Sequence, residues 1–124
     1  MARDNITVVF PIEDATKSLA SAEVTPTVIS AANGATIVGA TGCKDNSLTV
    51  VINPTLAGTV TFKAGVYDNA CLGDDSIAVK KDTVTVVHIE NPSRFQKADG
   101  NIDVDFTTVT GTIYAVGKHA GLKA

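Results

Sequence analysis

Aromatic side chains are scarce in this sequence. Its 124 residues include no tryptophan, two tyrosines and four phenylalanines, although 44% of the residues are hydrophobic. The core must therefore be built mostly from Val, Ile, Ala and Leu. The scarcity also disfavours a sugar-binding site, because sugars stack on aromatic faces and the chain offers little beyond Tyr67 and Tyr114 for that purpose.

Basic clusters are absent as well. The ten Lys and Arg residues are scattered without a run, and the formal net charge is −3, with an isoelectric point near 5.1. A protein that binds a phosphate backbone presents a basic patch or stripe. We therefore expect no nucleic-acid partner.

Long hydrophobic runs are missing too. No stretch approaches the roughly 18 apolar residues of a membrane span, and the polar N-terminal residues lack the apolar segment of a signal peptide. We expect no membrane contact and synthesis in the cytoplasm. Cys43 and Cys71 could pair, but two cysteines in a chain without a signal peptide are more often reduced, so the sequence leaves their pairing open.

The clearest structural signal begins at Asp99-Gly100. An Asp-Gly pair favours a tight turn in which the glycine has a positive φ. In the segment that follows, Ile102, Val104 and Phe106 fall on one face and two aspartates on the other, which is the period of a half-buried strand. The segment 58–65 alternates in the same way.

Other β-prone runs are separated by turn signals. The sequence predicts one all-β domain of about eight or nine short strands, either a β-sandwich or a closed β-barrel. Residues 1–16 are assigned to an N-terminal arm or edge strand and residues 17–124 to the domain. Residues 12–23 are interpreted as a loop with possible helical character, and Asn53-Pro54 is expected to end a strand. The predicted common core contains Val60, Phe62, Ile102, Val104, Phe106 and Ile113.

One loop concentrates acidic residues. Asp68, Asp74 and Asp75, together with Asn69, supply oxygen ligands of the kind that Ca²⁺ prefers, but their spacing matches no EF-hand. Asp and Asn are also selected in turns for their own backbone hydrogen bonds. We interpret these residues as solvated turn acids and predict no metal.

Catalytic sets are not apparent. Asp103 and Asp105 could divide acid and base roles between two neighbouring carboxylates, although an exposed sheet face explains them more simply. His88 and His119 each stand alone, and no signature of a nucleophile surrounds Cys43. We predict that the protein is not an enzyme and has no cofactor.

The second half of the chain, from Thr59 to Val116, resembles a group of small virion proteins of tailed bacteriophages. The matching segments mark strands and turns. They are Thr61-Phe62-Lys63-Ala64-Gly65, Leu72-Gly73-Asp74, Ser93-Arg94-Phe95-Gln96, the stretch from Asp99 to Phe106, and the stretch from Gly111 to Val116.

This resemblance implies a non-enzymatic capsid decoration protein. Such a protein binds the outside of the assembled shell and stabilises it, so the implied partners are the major capsid protein and further copies of the chain, as a homotrimer. The implied location is the capsid surface of the virion. The alternative is a stand-alone β-sandwich binding module for carbohydrate or a host surface.

The N-terminal arm is the candidate interface. Ile6, Val8 and Phe10 alternate along a strand that Pro11 separates from the rest of the chain. Its backbone groups need an edge to pair with, and that edge could belong to a neighbouring subunit or to the capsid. An edge strand of the chain's own sheet is an equally good interpretation.

Overall fold

The protein is a two-sheet β-sandwich. The computed structural model describes residues 3–9, 12–13, 20–21, 23–39, 48–66, 73–89 and 94–117, and within these ranges it contains eleven strands and no α-helix. The predicted all-β class is confirmed. The strands are β1 (Asp4–Thr7), β2 (Ile12–Glu13), β3 (Ala20–Ser21), β4 (Thr27–Val28), β5 (Ala35–Val38), β6 (Leu48–Leu56), β7 (Gly58–Phe62), β8 (Asp75–Val79), β9 (Thr85–Ile89), β10 (Ile102–Thr107) and β11 (Thr110–Val116).

Nine of these strands form the two layers. One sheet has the order β1-β5-β10-β7-β8 and the other the order β4-β11-β6-β9, while β2 and β3 pair separately. All neighbours in the two layers are antiparallel except β1 and β5. Of the two predicted architectures, the separate sheets support the sandwich rather than the closed barrel.

The core lies between the two sheets and follows the predicted alternation. In β10 the buried and half-buried positions alternate, as expected for a strand with one face on the core. The core is mostly aliphatic, as the scarcity of aromatic residues predicts, and its aromatic members are Phe62, Phe95 and Phe106. All six predicted core residues belong to this cluster: Val60, Phe62, Ile102, Val104, Phe106 and Ile113.

The predicted turn at Asp99-Gly100 is present. The Gly100 N–H donates to the carbonyl of Lys97 (2.8 Å), the Lys97 N–H donates to the carbonyl of Asn101 (2.9 Å), and Gly100 has a φ of +83°. These bonds enclose a turn that ends on a left-handed glycine, a common hairpin connection that a side chain at this position would strain. The turn therefore leads directly into β10.

The chain crosses between the two sheets twice at one place. Ala57 links β6 to β7, and Thr108 with Val109 links β10 to β11. The Thr108 hydroxyl donates to the carbonyl of Ala57 (3.1 Å), and Val109 is fully buried. The hydrogen bond compensates in part for a positive φ of 63° at Thr108, which is unusual for a β-branched residue.

The prediction that Asn53-Pro54 ends a strand was wrong, because β6 continues to Leu56. Pro54 lies opposite Gly111, beside the irregularity in the β6–β11 register, and beyond Ile52, where the pairing with β9 stops. A proline is tolerated at such a position because no ladder bond needs its missing N–H.

The N-terminal residues are part of the sandwich. β1 pairs with β5 along its whole length, and Val9 then bonds to the other sheet through Ala115 and Gly117. Between the predicted arm and domain, β2 pairs with β3 across the boundary assigned at residue 16. Of the segment 12–23, residues 12–13 and 20–21 are thus in strands and not in helical turns, Glu23 is irregular, and residues 14–19 and 22 lie outside the described ranges.

Candidate functional site

The outer face of the five-stranded sheet carries a network of ion pairs centred on β10. The side chains of Asp103 and Asp105 both point to this face, as predicted. Arg3 reaches them from the residue before β1, with its Nη1 2.7 Å from Asp105 Oδ1 and its Nε 3.8 Å from Asp103 Oδ2. Asp103 also lies 3.2 Å from Lys97 Nζ and accepts a hydrogen bond from the Thr36 hydroxyl (3.0 Å).

The network continues across β7 to Asp74. Lys63 Nζ lies 3.8 Å from Asp105 Oδ2 and 2.9 Å from Asp74 Oδ2. The backbone N–H of Ala64 donates to Asp74 Oδ1 (2.6 Å). This hydrogen bond, followed by the one from Lys63, holds the pKa of Asp74 below its usual value, and the hydrogen bond to Asp74 raises the pKa of Lys63.

Arg94 connects the beginning of β8 to the core. Its Nε donates to the carbonyl of Gly73 (3.1 Å), its Nη1 lies 3.8 Å from Asp75 Oδ2, and its guanidinium lies 5.2 Å from the ring centre of Phe95. The Phe95 ring in turn packs against Phe62, with 5.9 Å between the ring centres. The guanidinium therefore attaches the segment before β8 to the core.

The four carboxylates of the ion-pair network each have a cationic partner. A general base needs a carboxylate oxygen that can reach a substrate proton, and a metal site needs free oxygen ligands. The oxygens of Asp74, Asp75, Asp103 and Asp105 are instead bound to Arg and Lys side chains. Among the described residues no group of three or more His, Cys, Asp or Glu could hold a metal ion. We conclude that the network joins the strands and the neighbouring loops.

The outer face of the four-stranded sheet is chemically opposite. Strand alternation places ten side chains on it, and none of those that the structure describes there is an acid, a lysine or an arginine. We call this set the uncharged face. It consists of Val28, Thr49, Val51, Asn53, Val84, Val86, His88, Thr112, Tyr114 and Val116.

A row of apolar side chains runs across the centre of the uncharged face. Tyr114 lies opposite Val51, and Val51 lies opposite Val86 in the ladders of three adjacent strands. Val86 is 64% exposed and Val28, on the far edge strand, is 71% exposed. Exposed apolar residues are normal singly, whereas a large contiguous patch of them is a candidate interaction surface.

The remaining candidate residues that the structure describes, Ile6, Val8 and His88, do not form a second cluster. Ile6 and Val8 are buried in this chain's own core, so their side chains are not available to a partner, and the edge-strand interpretation of β1 accounts for both. His88 is exposed on β9 beside the Thr49 hydroxyl (3.3 Å). The candidates that lie outside the described residues are Phe10, Cys43, Tyr67, Asp68, Asn69, Cys71 and His119.

The uncharged face was not identified from the sequence. In β9 and the residue just before it both sides carry apolar residues, since Val87 and Ile89 face the core while Val84 and Val86 face outwards. Alternation distinguishes two faces but does not say which is inside when both are hydrophobic. The available signal was that Val51 lies between Val50 and Ile52, which are at least as apolar, and that Val86 precedes the equally apolar Val87.

Comparisons with protein-family models, with curated proteins and with solved structures found no match to this chain. No helix among the described residues has the length and hydrophobicity to cross a membrane.

Proposed function

We propose that this protein is a non-enzymatic structural protein of a bacteriophage virion, which binds the outside of the assembled capsid and stabilises it. Its partners in this proposal are the major capsid protein and further copies of itself. The resemblance of residues 59–116 to small virion proteins is one support. The division of the molecular surface into two contrasting faces is the structural support.

The observation that carries the proposal is the uncharged face. A β-sandwich keeps polar residues on its outer faces when both face water, and the five-stranded sheet does so with six charged side chains: Arg3, Lys63, Asp74, Lys97, Asp103 and Asp105. The four-stranded sheet instead presents Val28, Val51, Val86 and Tyr114. Protein contacts have few charges at their centre and are enriched in aromatic residues, so this face suits a protein whose task is to form contacts.

The outer face of the five-stranded sheet, which we call the charged face, supports a structural role in another way. Its carboxylates bind cations of the same chain and connect β1, β7, β10 and the residues around β8. A network of this kind restrains the sandwich and leaves no free charged group aimed at a ligand among the pairs described above. A rigid sandwich with one apolar outer face is an arrangement that serves assembly.

A comparison of neighbouring genes, followed by two measurements on capsids, tests the proposed function. The gene neighbourhood comes first, because an adjacent major capsid gene identifies the shell to use. The protein is then mixed with shells assembled without it and sedimented, and the heat stability of the shells is measured with and without the protein. Shells of an unrelated phage serve as the control for nonspecific adhesion.

We expect the protein to pellet with its own shells at a fixed ratio, to raise their disruption temperature, and to leave the unrelated shells unaffected. Protein that remains in the supernatant with shells of unchanged stability would exclude capsid decoration. If the protein does not bind the shells and is retained on a polysaccharide column, the result favours the alternative, a carbohydrate-binding module.

A further inference from the structure

We propose that Asn33 is a site of spontaneous deamidation in the folded protein, and that the isoaspartyl product loosens the attachment of β1 to β5. The inference does not depend on the proposed function. It concerns the turn that precedes β5, over which the guanidinium of Arg3 passes.

Asn33 is the one asparagine in the sequence that is followed by glycine. Deamidation begins when the backbone nitrogen of the next residue attacks the side-chain carbonyl carbon of the asparagine, and a side chain on that next residue hinders the attack. Glycine has no Cβ atom and leaves the approach open. The other asparagines precede isoleucine, proline, serine or alanine.

The reaction needs water as its only co-reactant. The Gly34 nitrogen loses its proton and forms a bond to Asn33 Cγ, the bond from Cγ to the side-chain nitrogen breaks, and that nitrogen leaves with the proton as ammonia. Water then adds to one of the two carbonyl carbons of the succinimide ring and breaks the bond between that carbon and the Gly34 nitrogen. Opening at the main-chain carbonyl gives isoaspartate, and opening at Cγ gives aspartate.

The turn around Asn33 is held by few bonds. The Gly34 N–H donates to the carbonyl of Ser30 (2.9 Å), and the Asn33 N–H donates to the Ser30 hydroxyl (3.4 Å). Ala31 and Ala32, between them, are exposed. Among the described residues none forms a hydrogen bond that holds the Asn33 side-chain amide away from the Gly34 nitrogen. Opening of this turn alone, which costs less than unfolding the domain, therefore releases the nucleophile.

The Asp99-Gly100 turn is the comparable place in the chain and is less reactive. A carboxylate resists attack by a nucleophile because it already carries a negative charge. Asp99 Oδ1 also accepts a hydrogen bond from the Asn101 N–H (3.0 Å), which holds the side chain in place. The turn at Asn33 is therefore the reactive one of the two.

Isoaspartate at position 33 alters the backbone where β1 is attached. The main chain then runs through the former side chain and is longer by a carbon atom. Gly34 is buried without spare room, since an added Cβ would lie 2.6 Å from Arg3 Nη1 and 3.1 Å from the carbonyl oxygen of Val104. The Gly34 carbonyl also accepts a hydrogen bond from the Asp4 N–H, at the beginning of β1 (3.2 Å). The longer main chain therefore displaces the point to which Arg3 and Asp4 are bound.

The first test follows the modification in the full-length protein. Folded and urea-unfolded samples are aged in a mildly alkaline buffer and digested, and mass spectrometry of the peptides is combined with labelling by an isoaspartate-specific methyltransferase. We expect Asn33 in the folded protein to be converted within about a hundred half-times of the unfolded sample, because a locally opened state is populated at about 1%. Asn5 and Asn101 are internal controls and should keep their amides. Asn33→Gln should abolish the conversion, since its longer side chain closes a ring far more slowly.

The second test measures the effect of the product on β1. The aged protein gains a negative charge, so ion exchange separates it, and Asn33→Asp is the matched control because it carries the same charge on an unaltered main chain. The isoaspartyl fraction should melt about 3–6 °C below Asn33→Asp. The Asp4 and Val8 amides, which donate to the carbonyls of Gly34 and Val38, should exchange faster in deuterium oxide. The amides of β8, at the other edge of the same sheet, should not.

The outcomes are distinct. A folded protein that keeps the Asn33 amide throughout, or that loses the amides of Asn5 and Asn101 as fast, overturns the assigned site. An isoaspartyl fraction that melts like Asn33→Asp, or in which exchange is faster in β8 as much as in β1, overturns the effect on β1. Capsid binding is measured separately, so its failure would leave this inference intact.

Discussion

Arg3 Nη1 lies 2.7 Å from Asp105 Oδ1 and also donates to the carbonyl of Val104 (3.0 Å), so that a residue at the beginning of the chain is bound to the central strand β10. Its guanidinium passes beside Gly34, where a Cβ atom would lie 2.6 Å from Nη1. A larger residue at position 34 would displace the arginine. The contact therefore connects β1 to β10 across the intervening β5.

A double-mutant cycle measures this contact. Arg3→Ala, Asp105→Ala and the double variant should give a coupling free energy of about 0.5–1 kcal/mol, because the pair is partly exposed to water. The coupling should shrink as salt is added. A cycle between Lys81→Ala and Asp105→Ala is the control and should be additive. Equal coupling in the two cycles would show that Arg3 contributes nothing specific.

Asp74 should make stability depend on pH in the acid range. Its pKa is lowered in the folded protein, chiefly by the hydrogen bond from the Ala64 N–H and then by Lys63. A depressed carboxyl pKa contributes stability that is present above the unfolded value, 3.8, and is lost as the pH falls through the folded pKa.

The measurement is urea unfolding of the wild type and Asp74→Asn between neutral pH and about pH 2, a range that spans the ordinary aspartate pKa. The difference between the free energies of unfolding of the wild type and of Asp74→Asn should be constant at neutral pH and should become smaller at acid pH. Lys63→Gln should reduce the pH dependence of the free energy of unfolding without abolishing it, because the hydrogen bond from the Ala64 N–H to Asp74 remains. A difference that is independent of pH would contradict the assignment.

Phe62 and Phe106 should each be essential to the core. Both side chains are buried, and Phe62 packs against Phe95. Phe62→Ala and Phe106→Ala should each lower the free energy of unfolding by about 3–5 kcal/mol, because each removes a ring and leaves a cavity. Val66→Ala, at an exposed position, should change it by less than about 0.5 kcal/mol. Chemical denaturation checks all three, and native stability in either phenylalanine variant would show that its strand is not packed as described.

Removal of residues 1–11 should destabilise the domain itself. The deletion takes away β1 and with it the buried Ile6 and Val8. The point variant Ile6→Ala should cost about 2–5 kcal/mol, whereas Thr7→Ala, on the exposed side of the same strand, should cost little. Thermal melting distinguishes the two interpretations of the arm. A truncated chain that melts like the wild type but no longer assembles would identify the arm as an interaction element.

Local patterns in the sequence predicted the elements that depend on local chemistry. The alternation of Ile102, Val104 and Phe106 predicted β10 and its buried face, and Asp99-Gly100 predicted the positive φ of Gly100. In these cases one face is clearly apolar and the turn needs a residue without a Cβ atom. The periodicity of apolar residues and the chemistry of the turn are then sufficient to predict the strand and the turn.

The features that were missed depend on partners distant in the sequence. Pro54 lies within β6 because Gly111, in another strand, provides an irregular register there. The pairing of Arg3 with Asp105 depends on the order of strands in the sheet, and that order cannot be inferred from local sequence patterns. The uncharged face was missed because Val86 and Val87 are equally hydrophobic, and only the assembled sandwich distinguishes the outer side chain from the inner one.

The order of strands also determines when the protein can fold. In one sheet β10 separates the pair β1-β5 from the pair β7-β8, and in the other β11 separates β4 from the pair β6-β9. During synthesis neither sheet can be completed until residues 102–116 have been made. The strands made earlier have unpaired edges until then. Folding dominated by such distant pairings is slow, on the scale of milliseconds to seconds, and the incomplete chain is the species most exposed to aggregation. Of the strands that the structure describes, β10 and β11 are thus the ones that convert a set of separate ladders into a sandwich.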